Sequence, residues 1–162
     1  MINTNKISIL VVVRWPVGGI RTFMRYVYRH FEPELYLLTI LCPDFPEIDI
    51  LYEDLKVLNV EIKKVSHHPS SYEFITAITK LVVSGKYDLV HSHGFTSGIC
   101  AAVPVFLARR PHILTPHDIL NDGQFTGLTG LIKKNAIAIA LFMIPTIQCV
   151  SNDARNNLLS RP

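Results

Sequence analysis

Residues 7–28 read ISILVVVRWPVGGIRTFMRYVY, and the change of period inside this stretch decides the fold class. Ile7 to Val13 is a continuous, largely β-branched apolar run, the pattern of a strand buried on both faces of a parallel sheet. The loop Arg14-Trp15-Pro16-Val17-Gly18-Gly19 ends it. From Ile20 the apolar residues Phe23, Met24, Val27, Tyr28 and Phe31 recur at helical spacing, which predicts a helix from about Gly19 to His30, stopping before Pro33. Buried strand, glycine turn and amphipathic helix are the opening of a βαβ unit.

The pattern continues outward. Further strands are predicted at Leu35–Leu41, Val60–Val65, Asp88–Ser92, His112–Pro116 and Thr146–Val150. Between them lie helices at Asp49–Leu58, Ser70–Ser84, Thr96–Arg109, Leu128–Met143 and Asn152–Leu159. Ser70 or Ser71 is available as a cap with Gly85 as terminator, Pro104 should kink its helix if it lies inside, and Ser151 should cap the last one. Six strands alternating with helices through right-handed crossovers give an α/β, doubly wound, Rossmann-like parallel sheet of order 3-2-1-4-5-6. Ligands of such sheets bind beyond the carboxyl ends of the strands, where the winding reverses between strands one and four. Polar and flexible residues collect at those ends: Gly18-Gly19, His93-Gly94, His117-Asp118 and Ser151-Asn152.

The 162 residues suit one domain, expected to span 1–162, and 49% hydrophobic against 18% charged residues exclude disordered and collagen-like classes. Sixteen Lys and Arg against thirteen Asp and Glu leave a charge of +3 with the cations scattered, so nucleic acid is not an expected partner. Cys42, Cys100 and Cys149 sit in separate apolar runs, so no disulfide framework is implied and a reducing, cytoplasmic setting is expected. The start, MINTNKISILVVVRWP, reads as a first strand rather than a signal peptide. The longest apolar run, Ala136 to Ile147, is broken by Pro145 and falls short of the ~18 residues of a membrane span.

The candidate residues carry chemistry of different kinds. Gly18 and Gly19 let backbone N–H groups approach an anion at a helix N-terminus, although a tight turn needs them equally; neither GxGxxG nor a P-loop is present. Arg21, Arg25 and Arg29 form a stripe, and Arg21 lies in the first helical turn, where a cation is disfavoured unless an anion is near. His91 and His93 share one face of a strand, with His91 expected buried and hydrogen-bonded and His93 in the cleft. His117, with Pro116 before and Asp118 after it, should project into the cleft or bond Asp118. A metal would need His91, His93 and His117 together, and the spacing is not that of a closed zinc site. His67 and His68 precede Pro69 in a loop and are expected exposed.

Four stretches in order, ILVVVRWPVGGIRTFMRYV, YDLVHSHG, HILTPHDI and IQCVSNDARNNLL, resemble the N-terminal domain of glycosyltransferase family 4, the group 1 enzymes of the GT-B fold. The resemblance implies transfer of a sugar from a nucleoside diphosphate sugar to an acceptor, a glycan or lipid-linked glycan, in a cleft between two Rossmann-like domains. It implies retention of anomeric configuration without metal or other cofactor. By position, Gly18 and Gly19 match the family's glycine loop and His117 the histidine that contacts the donor sugar. Arg21, His93, Gly94, Asp118 and Ser151 are carried along as substrate-binding positions.

The family's nucleotide-sugar-binding domain with its paired glutamates would follow, so this chain is expected to be the acceptor-side domain of a longer enzyme, inactive alone. Glu53 and Glu61 have the right separation but stand between strands two and three of the wrong domain. Two other classes stay open. One is a non-catalytic binding or membrane-docking module, in which Lys133 and Lys134 beside Ala136–Ile144 lay a helix on an anionic membrane at its cytoplasmic face. The other is a metal-dependent hydrolase using His91, His93 and His117.

Overall fold

Strand β1 (Ile7–Val13) lies fourth from the far edge of a six-stranded sheet, and every strand runs parallel to its neighbours in the order β3-β2-β1-β4-β5-β6. The computed structural model describes residues 6–160. Residues 1–5 and 161–162, and with them the reading of the N-terminus against a signal peptide and of the stop at Pro162, lie outside the described part. The other elements are α1 (Gly18–Tyr28), β2 (Tyr36–Pro43), α2 (Glu47–Leu55), β3 (Glu61–Val65), α3 (Ser71–Val83), β4 (Leu89–His93), α4 (Phe95–Leu107), β5 (His112–Thr115), α5 (Gly127–Met143), β6 (Thr146–Ile147) and α6 (Asn152–Leu159). The order is the one the alternation predicts.

Boundary differences have local causes. Helix α2 begins earlier than expected and closes in a 3₁₀ turn, Lys56–Leu58, ended by Asn59 at φ 50°, a conformation asparagine tolerates better than most residues. Strand β6 is only two residues long. After Ile147 one more ladder bond, Gln148 N–H to the Leu114 carbonyl at 2.8 Å, is made before the chain turns into α6. Pro104 lies inside α4, the fourth residue from its end, so the bond it cannot donate to the Cys100 carbonyl is lost only near the end of the helix.

The alternation of side chains along β1 divides the core. Ile9, Val11 and Val13 pack with Met24 and Tyr28 of α1 and Ile48, Leu51 and Leu55 of α2. Leu10 and Val12 face the other way, onto Phe74, Ile78 and Val82 of α3 and Cys100, Ala101 and Val105 of α4. Each fully buried Leu, Ile or Phe in these layers contributes about 1.5–3 kcal/mol. Cys42, whose thiol burial pushes up to about 12, is a core hydrophobe, and no disulfide joins the cysteines.

Helix α5 buries only part of its apolar surface. Gly130, Ile137 and Ala140 are buried, but Leu128, Leu131, Ile132, Ile139 and Phe142 are exposed. Among the described residues no helix is long and apolar enough to cross a membrane. Gly130 is where α5 touches the preceding 3₁₀ turn, Asp122–Phe125: a Cβ there would stand 2.2 Å from the Phe125 carbonyl carbon. In an open helix, Gly→Ala adds up to about 1 kcal/mol. Here Gly130→Ala is expected to cost about 1–3 kcal/mol through overpacking against backbone, read as a lowered denaturant midpoint. A raised midpoint would mean that the 3₁₀ turn yields freely.

Candidate active site

The chain leaves β1 into α1 on one face of the sheet and leaves β4 into α4 on the other. Nothing therefore crosses the carboxyl ends of these two strands, and a cleft of about 920 Å³ opens there. Trp15, Gly19 and Ile20 form one wall, Gly94, Phe95 and Thr96 a second, and Asp118, Leu120 and Lys133 a third, with His93 and His117 between them.

Both helices that start at the cleft are bare at their N-termini. Gly18 (φ 55°) and Gly94 (φ 80°) turn the chain into α1 and α4 through left-handed backbone that a side chain would strain. Neither helix has a side-chain cap or an acidic residue in its first turn. Helix α3, by contrast, is capped by Ser70, which accepts from Glu73 N–H, and α6 by Ser151, which accepts from Ala154 N–H; each also carries a first-turn acid. Two uncapped N-termini beside one cleft leave free N–H groups and positive helix ends that favour an anion.

Beneath this rim lies a chain of polar side chains. Register pairs Val11 with His91, Val13 with His93 and His93 with Thr115, which puts both imidazoles on the α1 side of the sheet. The Tyr28 hydroxyl, fully buried on the last turn of α1, meets His91 Nδ1 at 2.8 Å and His93 Nε2 at 2.7 Å. His91 Nε2 continues to Thr115 Oγ1 at 2.8 Å, and Thr115 Oγ1 to Gln148 Oε1 at 3.5 Å. In the other direction, His93 Nδ1 meets His117 Nε2 at 3.1 Å. Phe23 holds the outer end, its ring edge-on to His117 at 5.1 Å and tilted against His93 at 5.7 Å.

Burial governs the charge state of this chain. His91 is pushed down to about 4, by desolvation first and then by the neighbouring His112 and His117. His93 is held well below its ordinary range by burial and by His91 and His117. His117 is lowered by burial, partly offset by Asp118. Burial raises the Tyr28 hydroxyl well above its usual range. All four are neutral at pH 7, which is how closely spaced imidazoles coexist without repulsion.

Of the residues expected at the site, Gly19, His93, Gly94, His117 and Asp118 line the cleft, and Gly18 shapes the turn beside it. His91 is buried and hydrogen-bonded as its strand position predicts, and His117 bonds His93 rather than Asp118. Two of the expected residues stand elsewhere. Arg21 lies outside the cleft lining, and the anion beside it is Asp54 of α2 at 3.8 Å, shared with Arg25 at 4.0 Å. Ser151 caps α6 and borders a separate hollow of about 530 Å³. The metal-hydrolase arrangement does not form, because both nitrogens of His91 and His93 and Nε2 of His117 are taken up by one another, Tyr28 and Thr115. Among the described residues no group of three His, Cys, Asp or Glu converges as a metal holder. Tyr28 is the member that sequence spacing leaves among core positions. The available signal was that a buried tyrosine hydroxyl requires a partner and the facing strand carries two histidines.

The architecture, six parallel strands wound in both directions with helices on each face, is that of a Rossmann-like GT-B half-domain. The sequence model of glycosyltransferase family 4 matches residues 17–161, and the chain belongs to that family. Among curated proteins, no sequence matches well enough to count as a relative. Similar solved structures include HepE of Anabaena in complex with UDP, with TM-score 0.71 and 19% identity over 94% of this chain and 40% of that one. A glycosyltransferase from Rickettsia africae superposes with TM-score 0.68 and 16% identity over 97% and 40%. The UDP-GlcNAc 2-epimerase of Neisseria meningitidis, bound to UDP-GlcNAc, does so with TM-score 0.60 and 17% identity over 95% and 43%. The chain thus spans about two-fifths of the length of these proteins.

The depressed imidazoles make stability depend on pH in a definite direction. In the unfolded chain these histidines titrate near the ordinary 6.5, while folded His91 and His112 titrate at about 4. Between those values the unfolded state takes up protons that the folded state refuses. Stability is therefore expected to be full above pH 6.5 and to fall as pH drops toward 4, by about 1.4 kcal/mol per unit for each such group. Denaturant unfolding at a series of pH values reads this. Constant stability from pH 7 to 5 would contradict the buried neutral histidines.

Proposed function

We propose that this domain is the acceptor-side half of a retaining glycosyltransferase that uses no metal or other cofactor and moves a sugar from a nucleoside diphosphate sugar to a glycan or lipid-linked acceptor. The single observation that carries the reading is the meeting of two uncapped helix N-termini over the neutral, hydrogen-bonded His117 in one cleft. The family membership supports transfer over epimerisation, between which likeness of fold alone does not separate.

In the reaction the bond between the sugar's anomeric carbon and the diphosphate oxygen breaks. A bond to an acceptor oxygen forms, and the acceptor's hydroxyl proton leaves. Negative charge grows on the departing diphosphate. The free N–H groups at the starts of α1 and α4, reached through Gly18, Gly19 and Gly94, are placed to stabilise that charge without reorganising. Lys133, whose Nζ donates to Gln124 Oε1 at 3.0 Å on the cleft wall, adds a cation. His117 holds the sugar, and Asp118 with His93 completes the polar floor. A second domain beyond this one supplies the base and ribose contacts in the same proposal.

Peripheral contact with the cytoplasmic face of a membrane belongs to the reading as well, carried by the exposed row Leu128, Leu131, Ile132, Ile139 and Phe142 of α5. Co-sedimentation with anionic vesicles, lost in Phe142→Asp, tests it; a chain that stays in the supernatant removes the membrane from the proposal.

For the site itself the decisive variant is His117→Ala in the enzyme that carries this domain. The fold should persist, because His117 is at the cleft and not in a core cluster. Transfer should fall by about two orders of magnitude or more, the scale of one lost preorganised contact. The loss appears in kcat if the contact tightens at the transition state and in KM if it only holds the donor. A folded His117→Ala enzyme with near wild-type turnover would remove His117 from the active site.

A further inference from the structure

We propose that Tyr28 is a positioning residue for His117: the row Gln148–Thr115–His91–Tyr28–His93–His117, buried from Thr115 to His93, fixes which nitrogen of His117 carries the proton and presents the other, Nδ1, to the cleft as a hydrogen-bond acceptor. The role in sugar binding rests on the function proposed above. The protonation pattern does not.

The inference follows from counting protons. Thr115, Tyr28 and the three neutral imidazoles each own one movable hydrogen, and five contacts of 2.7 to 3.5 Å link them in a row from Gln148 to His117. A contact between two bare lone pairs, or between two hydrogens, is not a hydrogen bond, so each link needs one proton. One proton per group and one per link leave only two arrangements, with every donor pointing toward Gln148 or every donor pointing toward the cleft. The end of the row decides between them. With the Gln148 amide oxygen assigned to the Thr115 side, Thr115 donates to it, His91 Nε2–H to Thr115, Tyr28 O–H to His91 Nδ1, His93 Nε2–H to Tyr28, and His117 Nε2–H to His93 Nδ1.

His117 Nδ1 is then bare. It bonds no other described residue and is not among the buried atoms without a partner, so it is open to the cleft that His117 lines. It accepts from a ligand hydroxyl and rejects a ligand acceptor. The burial that keeps His91 and His93 neutral removes the doubly protonated state that would break the row. Tyr28 is the hub because its one oxygen both accepts from His93 and donates to His91, and among the described residues no other side chain hydrogen-bonds both imidazoles.

The test reads the imidazole nitrogens of this chain directly, by long-range ¹H–¹⁵N correlation of ¹⁵N-labelled protein at pH 7. In the wild type His117 is expected as a single tautomer, Nε2 protonated and Nδ1 bare. Tyr28→Phe keeps the ring and removes the hub, and His117 should become an exchanging mixture of tautomers. Thr115→Val, nearly isosteric and one link further out, should do the same and decides the matter if Tyr28→Phe does not fold. A wild-type His117 protonated at Nδ1 would overturn the proposal, and so would an unchanged His117 in the folded variants. In the full enzyme, Tyr28→Phe is expected to lower kcat/KM about tenfold, mainly through a higher KM for the donor. Tautomers that shift as expected in an enzyme without transfer activity would leave the proton row standing and remove the glycosyltransferase reading.

Discussion

The hydroxyl of Tyr28 ties together the two halves of a sheet whose winding reverses. Tyr28 belongs to the helix that leads from β1 toward β2 and β3, while His91 and His93 belong to β4, from which the chain winds the opposite way. A doubly wound sheet is weakest in cover at that reversal, because no crossover helix passes over the strand ends. The apolar layers on β1 hold the two strands side by side, but such layers are tolerant of sliding. Two buried hydrogen bonds of 2.7 and 2.8 Å from one oxygen are not. They fasten the last turn of α1 to β4.

Burying the polar groups of Tyr28, His91, His93 and Thr115 is costly unless each is satisfied, since an orphaned buried donor or acceptor loses its hydration without compensation. The row from Gln148 to His117 meets this requirement by linking each member to the next, and it ends where solvent or a ligand can take over. On the opposite face of the sheet Ser92 pairs with His112 Nε2 at 2.8 Å, while His112 Nδ1 stays buried without a partner. The polar residues of β4 therefore serve both layers: His91 and His93 toward α1, Ser92 toward α4. The outward end of the row, His117, is its one half-buried imidazole, with Phe23 edge-on to the ring at 5.1 Å.

Much of this was legible in the sequence where the determinants are local. The apolar run Ile7–Val13 and the helical spacing from Ile20 gave strand, helix and, through the handedness of crossovers, the strand order. The two-residue period of a strand put His91 and His93 on one face, and Ser70 and Ser151 announced the caps they form. What was not legible depends on pairing across the fold. Arg21 reads as a cation awaiting a ligand because its partner, Asp54, is brought to it only when α2 packs beside α1. Ser151 follows a strand end as the family pattern requires, yet β6 is an edge strand at a distance from the reversal, so its helix opens on another hollow. Tyr28 looks like one more apolar position because nothing near it in sequence reveals that its hydroxyl lies 2.7 Å from a histidine sixty-five residues later.

The central claim is that ligand chemistry takes place at the reversal between β1 and β4. The most direct measurement is a map of backbone amide shifts as this chain is titrated with UDP-glucose at millimolar concentration. The account requires the largest changes at Val17–Ile20, His93–Thr96 and His117–Asn121, the three segments that converge on the cleft. Changes concentrated on α5 and α6, or on the hollow beside Ser151, with the cleft amides unmoved, would contradict it.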